Sequence, residues 1–291
     1  MRWPRTRETW IAALILAAVL VWAGRYFVSP DSISYLDLSD DVRAGRFGSA
    51  VNAHWSPAYP YLLAVWLAPF DHGSRWELIA VHILNGLIFV AAMATFEFFL
   101  RELRKVQVAG TKWLALPLDS LSGRFSACAV FLWGTLVLIT VRGVTPDMLL
   151  AAIAFAIAGV FTRIQSGAAT PRAYAVLGLL LGAAALTKSF MFPGAVLMLA
   201  LSYIANARAG RARTLHLLSA AVFALVTAPQ VIALSIKTGK PTFSDSARLV
   251  YALKVNGIPK LSGEPPVQMV TRNPAALSFP TAKANRTYPL W

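Results

Sequence analysis

The chain has 291 residues, of which 57% are apolar and 14% are charged, and its formal net charge is +14. Soluble domains carry about 25% charged residues, so the composition excludes an ordinary soluble domain and indicates a membrane protein. The positive charges form short clusters between apolar runs and no basic stripe interleaved with aromatic residues, which argues against nucleic acid as a partner. The single cysteine, Cys128, excludes a disulfide framework and a cysteine metal site.

Seven apolar runs follow one another along the chain, most of them near the length of about 20 residues that crosses a bilayer core. The first run follows three arginines and ends without a small-residue cleavage site, so we predict an uncleaved anchor rather than a signal peptide. The sequence thus predicts an all-α polytopic bundle. The seven runs are 9–28, 78–100, 124–142, 146–163, 173–190, 192–207 and 214–236.

An eighth apolar stretch, 57–70, is too short to cross comfortably and contains three prolines. Keeping it on one side of the membrane places most basic residues of the short loops in the cytoplasm, as the positive-inside rule requires. We therefore predict seven crossings, a cytoplasmic N-terminus and an interfacial helix over 57–70. Its aromatic rings Tyr59, Tyr61 and Trp66 suit the headgroup region.

The chain divides into a transmembrane domain, 1–236, and a tail on the outer side, 237–291. The first outer loop of the transmembrane domain spans 29–77. The tail has no run long enough to cross the membrane, and it stops at an apolar tetrapeptide, 288–291. We therefore expect the tail to be incomplete.

Carboxylates are frequent in the first outer loop. Asp31 follows the first span directly and is predicted to cap the N-terminus of an amphipathic helix near the membrane surface. Asp40 and Asp41 are interpreted as the solvated end of that helix. A further acid, Asp147, begins another span on the same side. There Thr145 would cap the helix, and the Asp147 carboxylate would interact favourably with the positive end of the helix dipole. Alternatively, Asp31 and Asp147 converge for proton transfer or cation binding.

Four further ionisable groups lie within or next to apolar runs. Lys188, in the turn between two spans, either extends to water or meets a phosphate at the membrane surface. His54 has no second histidine at metal-ligand spacing, which argues against a zinc site. His82 and Glu97 lie within the second span and require partners in the bundle, although Glu97 is near enough to the cytoplasmic end to reach water.

Three short motifs resemble the GT-C superfamily of membrane glycosyltransferases, and in particular bacterial relatives of protein O-mannosyltransferases and aminoarabinose transferases. The tail segments 242–251 and 255–259 are also similar to the outer region of such proteins. The motifs are Pro30-Asp31-Ser32 with Tyr35-Leu36, Trp55-Ser56-Pro57 with Tyr59-Pro60, and Thr145-Pro146-Asp147.

The resemblance implies an inverting transfer of a sugar from a polyprenyl-phosphate donor, at the outer face of the bacterial cytoplasmic membrane. Asp31 matches the family's first-loop base and Asp147 a second acid. Some relatives use a divalent cation such as Mg²⁺ or Mn²⁺ and others use none. The resemblance further implies donor-phosphate contacts from Lys188, Arg142 and a displaced His54, and substrate contacts from Tyr35, Trp55 and Tyr59.

Two other functions remain open at the level of the sequence. A transporter of lipids or small molecules would also be polytopic, but transporters favour broken helices and polar groups near the bilayer midplane. The spans of this chain are apolar in the middle, and the polar residues gather at their ends. An inactive, truncated member of the glycosyltransferase family is the third interpretation.

Overall fold

The computed structural model describes residues 6–70, 76–108, 118, 120–167, 170–208 and 213–247, and this part of the chain contains helices and no strand. Each predicted apolar run is helical. The run 124–142 forms α6 and a π-helical continuation, Trp133–Ile139. The helices are α1 Thr6–Ala23, α2 Pro30–Arg43, α3 Phe47–Ala50, α4 Ala58–Leu67, α5 Glu77–Val108, α6 Leu121–Leu132, α7 Asp147–Gln165, α8 Pro171–Thr187, α9 Met191–Arg208 and α10 Arg213–Thr238.

Among the described residues, four helical segments are long and apolar enough to cross a membrane: Glu77–Val106, Leu121–Ile139, Asp147–Gln165 and Thr214–Thr238. Large apolar side chains on α10 face outward, and Leu225 and Ile236 are 76% and 77% exposed. Such exposure is costly in water and expected against lipid. The protein is therefore a helical membrane protein.

Successive long helices run in alternate directions and pack in the order α1, α5, α7, α8, α10, with α9 beside α8 and α10. We call one end of the bundle the site end; it holds the connections 24–57, 140–146, 188–190 and 239–247. Contacts between these connections and the adjoining helix ends place them together. The amide of Asp245, for example, donates to the carbonyl of Ala53 over 2.9 Å.

Charged residues pair at the opposite end of the bundle. The Glu97 carboxylate accepts hydrogen bonds from Arg124 over 2.6 Å and from the Trp10 indole over 2.7 Å. Arg163 pairs with Glu102 over 2.6 Å. Glu97 therefore finds its partners inside the bundle, as a carboxylate in an apolar helix requires.

The start of α2 differs from the prediction. Ser29, rather than Asp31, is the N-cap, and its hydroxyl accepts from the amide of Ser32 in a capping box. Pro30 occupies the first helical position, where its missing N–H costs nothing, so the cap has to precede it. The Asp31 carboxylate is left exposed in the first turn.

The end of α2 is not solvated as predicted. Asp41 is only 8% exposed and pairs with Arg46 over 2.7 Å. Asp40 lies 3.4 Å from Arg43, whose buried guanidinium also contacts Glu77 at the start of α5. The Arg43–Glu77 pair fastens the end of α2 to α5, whereas the other two pairs are local to the end of α2.

The short helix α4 confirms that 57–70 contains a helix, but Tyr59 is fully buried, so its assignment to the headgroup region is wrong. Trp66 is partly buried and donates its indole N–H to the carbonyl of Ala80 over 2.8 Å. Only Tyr61 of the three rings is exposed. Helix α4 packs against α2, α5 and α8, and so turns one face toward the bundle.

Candidate functional site

A cavity of about 520 Å³ opens at the site end of the bundle. Helix α2, the segment 54–56, the α8–α9 turn and the segment 243–247 after α10 form its walls. Its lining combines aromatic rings, hydroxyl groups and one cation. The lining residues that matter chemically are Tyr35, His54, Trp55, Lys188, Phe243 and Ser244.

The cation of the cavity is already paired. Lys188 follows the last residue of α8 in an extended conformation, and its ammonium lies 2.7 Å from the carboxylate of Asp147, the first residue of α7. Thr145 does not cap α7, whose N-cap is Pro146 without a side-chain bond. The two side chains are 32% and 38% exposed, so the pair is accessible to solvent.

Aromatic contacts hold Tyr35 in the cavity wall. Its ring lies edge-on to Trp55 at 5.0 Å and to Tyr59 at 5.5 Å. Burial raises the pKa of the Tyr35 hydroxyl, and the carboxylates of Asp31 and Asp147 raise it further. Tyr35 therefore remains a neutral phenol that can donate a hydrogen bond, and both predicted acids act on this one hydroxyl.

His54 and Trp55 form part of the cavity wall, and each has a buried polar atom. His54 Nδ1 and Trp55 Nε1 are buried without a hydrogen bond among the described residues. Burial lowers the pKa of the His54 imidazole, and Asp31 opposes this effect. His54 is therefore a neutral group suited to hydrogen bonding, and not a second cation. Buried polar atoms are costly unless paired, and neither of these two atoms is open to a ligand in the cavity.

Arg142, predicted to bind phosphate, does not line the cavity. Its side chain is exposed and lies across the end of α1, where a Cβ on Gly24 would be 2.4 Å from Arg142 Cγ. Lys188, Arg142, Asp31 and Asp147 are thus all at the site end, but of these four charged residues only Lys188 lines the cavity.

A second, apolar groove of about 500 Å³ lies on the other side of the segment 54–57. A small cavity of about 20 Å³ lies between the two: Pro57, Leu186 and Gln230 line both the small cavity and the groove, whereas His54 and Trp55 line both the small cavity and the larger one. The sequence did not predict this groove, because its walls come from α3, α4, α8 and α10.

The segment after α10 covers one side of the cavity. Ser244 Oγ donates to the Ala53 carbonyl over 3.0 Å, and the ring of Phe243 stacks on Phe192 at 4.6 Å. This segment holds Thr242–Ser246 of the motif noted in the sequence. The remainder of that motif, 248–251, and the segment 255–259 lie outside the described residues.

The described residues do not fit a bound metal ion. They contain no group of three or more His, Cys, Asp or Glu side chains that could hold one. The Lys188 ammonium also contacts a carboxylate oxygen of Asp147, where a cation would otherwise lie.

Fold and site together define a helical membrane protein with a cavity that holds the Lys188 ammonium at one end of its bundle and an apolar groove beside it. In comparisons with known proteins, this chain matches no family model, no curated protein and no solved structure.

Proposed function

We propose that the protein is an inverting glycosyltransferase that takes a sugar from a polyprenyl-phosphate donor at the outer face of the bacterial cytoplasmic membrane. The observation that carries the proposal is the juxtaposition of two cavities of different chemistry. The cavity holds the Lys188 ammonium and several hydroxyl groups, and the nearby groove is apolar and holds no charged side chain among its lining residues. An amphiphile with an anionic headgroup and a hydrocarbon chain fits such a pair of sites.

In this mechanism the Lys188 ammonium releases the Asp147 carboxylate and binds the donor phosphate in its place. Its charge stabilises the phosphate as the bond to the anomeric carbon breaks. Asp31 takes the proton of the acceptor hydroxyl, whose oxygen attacks the anomeric carbon from the face opposite to the phosphate and inverts the configuration. The neutral Tyr35 phenol donates a hydrogen bond to the substrate.

The position of the cavity supports a transferase over a transporter. Transporters hold their substrates near the bilayer midplane, between the halves of a repeated structure. Here the ionisable groups of the cavity come from helix ends and connections at one end of the bundle.

The test measures binding of a polyprenyl-phosphate sugar to the purified chain in nanodiscs. Lys188→Ala should weaken binding about tenfold, the effect of losing one charged hydrogen bond. Arg142→Ala is the matched control, because this arginine lies at the same end but outside the cavity, and it should bind as the wild type does. Asp31→Asn should bind the donor and lose transfer, since it removes the base and leaves the cavity lining intact.

Two results would contradict the proposal. One is a folded wild-type chain that shows no saturable binding to any polyprenyl-phosphate sugar. The other is a donor affinity that Lys188→Ala and Arg142→Ala lower equally, because general surface charge would then explain the binding.

A further inference from the structure

Helix α5 carries a buried amide that links two of the segments around the cavity. Asn85 is 1% exposed. Its Nδ2 donates to the carbonyl of Gly143 over 2.9 Å, and its Oδ1 accepts from the hydroxyl of Tyr59 over 2.7 Å. The carbonyl can only accept, which fixes the orientation of the amide. An amide inside an apolar helix is costly unless it is hydrogen-bonded, and both the nitrogen and the oxygen of the Asn85 amide have a partner.

The Gly143 bond reaches the turn that leads into α7. Gly143 belongs to the turn 140–146, which leads from the π-helical segment into Asp147. This turn is strained at its start, since Thr140 has a φ of 62°. Strained turns persist where surrounding contacts hold them, and the bond from Asn85 is such a contact.

The Tyr59 bond reaches a ring that packs behind the aromatic wall of the cavity. Tyr59 is fully buried and its ring lies edge-on to Tyr35 at 5.5 Å. Tyr35 is the residue on which Asp31 and Asp147 both act. One amide therefore joins the turn that carries Asp147 to the ring that supports Tyr35.

A second contact repeats this arrangement one turn away. His82, three residues before Asn85 on α5, is fully buried, and its Nε2 lies 3.1 Å from the carbonyl of Phe27. Phe27 belongs to the connection between α1 and α2, which leads to Asp31. One face of α5 thus contacts both the connection that precedes Asp31 and the turn that precedes Asp147.

We propose that Asn85 is a positioning residue, which holds Asp147 against Lys188 and beside Tyr35 through the carbonyl of Gly143. Its effect on sugar transfer rests on the proposed function. Its effect on the position of Asp147 does not, because the Lys188–Asp147 pair exists in the protein without substrate.

The experiment measures how fast Lys188 is acylated by an amine reagent in the purified full chain, by mass spectrometry of the peptide that contains it. An ion-paired ammonium reacts slowly, and Asp147→Asn sets the rate without the pair. Asn85→Leu should raise the rate about two- to fivefold toward that of Asp147→Asn, the range that a half-exposed pair allows. Asn85→Gln keeps the amide and should remain nearer to the wild type.

Thr95→Val is the matched control, because Thr95 lies on the same helix and, among the described residues, bonds only to the carbonyls of Ala91 and Ala92. It should leave the rate of Lys188 unchanged. If Asn85→Leu hinders folding, Asn85→Ala removes the same two hydrogen bonds with a smaller side chain and should raise the acylation rate of Lys188 equally. A wild-type rate in a folded Asn85→Leu or Asn85→Ala protein would overturn the proposal. The labelling needs no donor, so it reads the position of Asp147 even if the proposed transfer fails.

Discussion

Burial determines what His54 and Tyr35 can do at the cavity wall. It lowers the pKa of the His54 imidazole and raises the pKa of the Tyr35 hydroxyl. At neutral pH both side chains are therefore uncharged, and Lys188 is the one cation among the described residues that line the cavity. A phosphate in this cavity would thus meet one charged group and several neutral hydrogen-bonding groups.

The neutral state of His54 makes the stability of the protein depend on pH. In the unfolded chain this imidazole has the pKa of a free histidine, about 6.5. In the folded chain its pKa is lower, so it is protonated only at lower pH. Between these values the unfolded state holds more protons, so stability falls as the pH drops. We predict that His54→Gln loses less stability than the wild type between about pH 7 and pH 5, measured as unfolding temperatures in one detergent.

Asp31→Asn provides the opposite comparison. Asp31 opposes the lowering of the His54 pKa, so its removal should lower that pKa further and increase the loss of stability on acidification. A His54→Gln protein that loses as much stability as the wild type would show that His54 is not held neutral in the folded state.

At the scale of the helices, α8 and α10 approach closely because α8 presents glycines to α10. A Cβ on Gly178 would lie 2.3 Å from the Ser219 carbonyl oxygen, and one on Gly182 would lie 2.6 Å from a methyl of Val226. Ser219 Oγ also donates to the carbonyl of Tyr174 over 2.6 Å. Small residues permit such contacts between helices in membranes, where packing and hydrogen bonds drive association.

We predict that Gly178→Ala destabilises the protein by about 1–3 kcal/mol, because the methyl group meets backbone that cannot rotate away. Gly194→Ala is the control: the same change in α9 meets nothing within 4 Å. It should be neutral or stabilising by up to about 1 kcal/mol through helix propensity. Unfolding curves of both variants in one detergent measure the difference, and equal stability of the two variants would show that the α8–α10 contact is looser than this.

The helices could be predicted from the sequence because a long apolar run in this composition has few alternatives to a helix. The N-cap of α2 could not be settled by residue preference, since Ser29 and Asp31 are both good caps; the position of Pro30 decides it. Lys188 and Asp147 were predicted at one end, but their contact depends on how α7 packs against α8.

Asn85 and the apolar groove escaped prediction for the same reason, since their partners are distant in the sequence. The available signal for Asn85 was an amide inside an apolar run. His82, three residues earlier, gave the same kind of signal and does find a partner in the Phe27 carbonyl.

At the scale of the whole molecule, the fold places the first connection and the end of α10 together. Lys237 Nζ donates to the carbonyl of Gly48 over 2.7 Å and to that of Val51. Helix α4 has ten residues, which span about 15 Å, roughly half of the hydrocarbon core of about 30 Å. If α4 does not cross the membrane, four crossings separate Ser49 from Phe190, and the two residues lie on the same side.

We therefore predict that cysteines replacing Ser49 and Phe190, both exposed at the site end, react with a membrane-impermeant maleimide in intact cells. A cysteine replacing Ser166, exposed at the opposite end, should react only after permeabilisation, because the positive-inside rule places that end in the cytoplasm. The native Cys128 is buried and is replaced by alanine as a background. Labelling of Ser49 and Phe190 positions from opposite sides would mean that α4 crosses or that the 17-residue α8 does not. Either result would separate Asp31 from Lys188 across the membrane, and with them the two groups on which the proposed transfer depends.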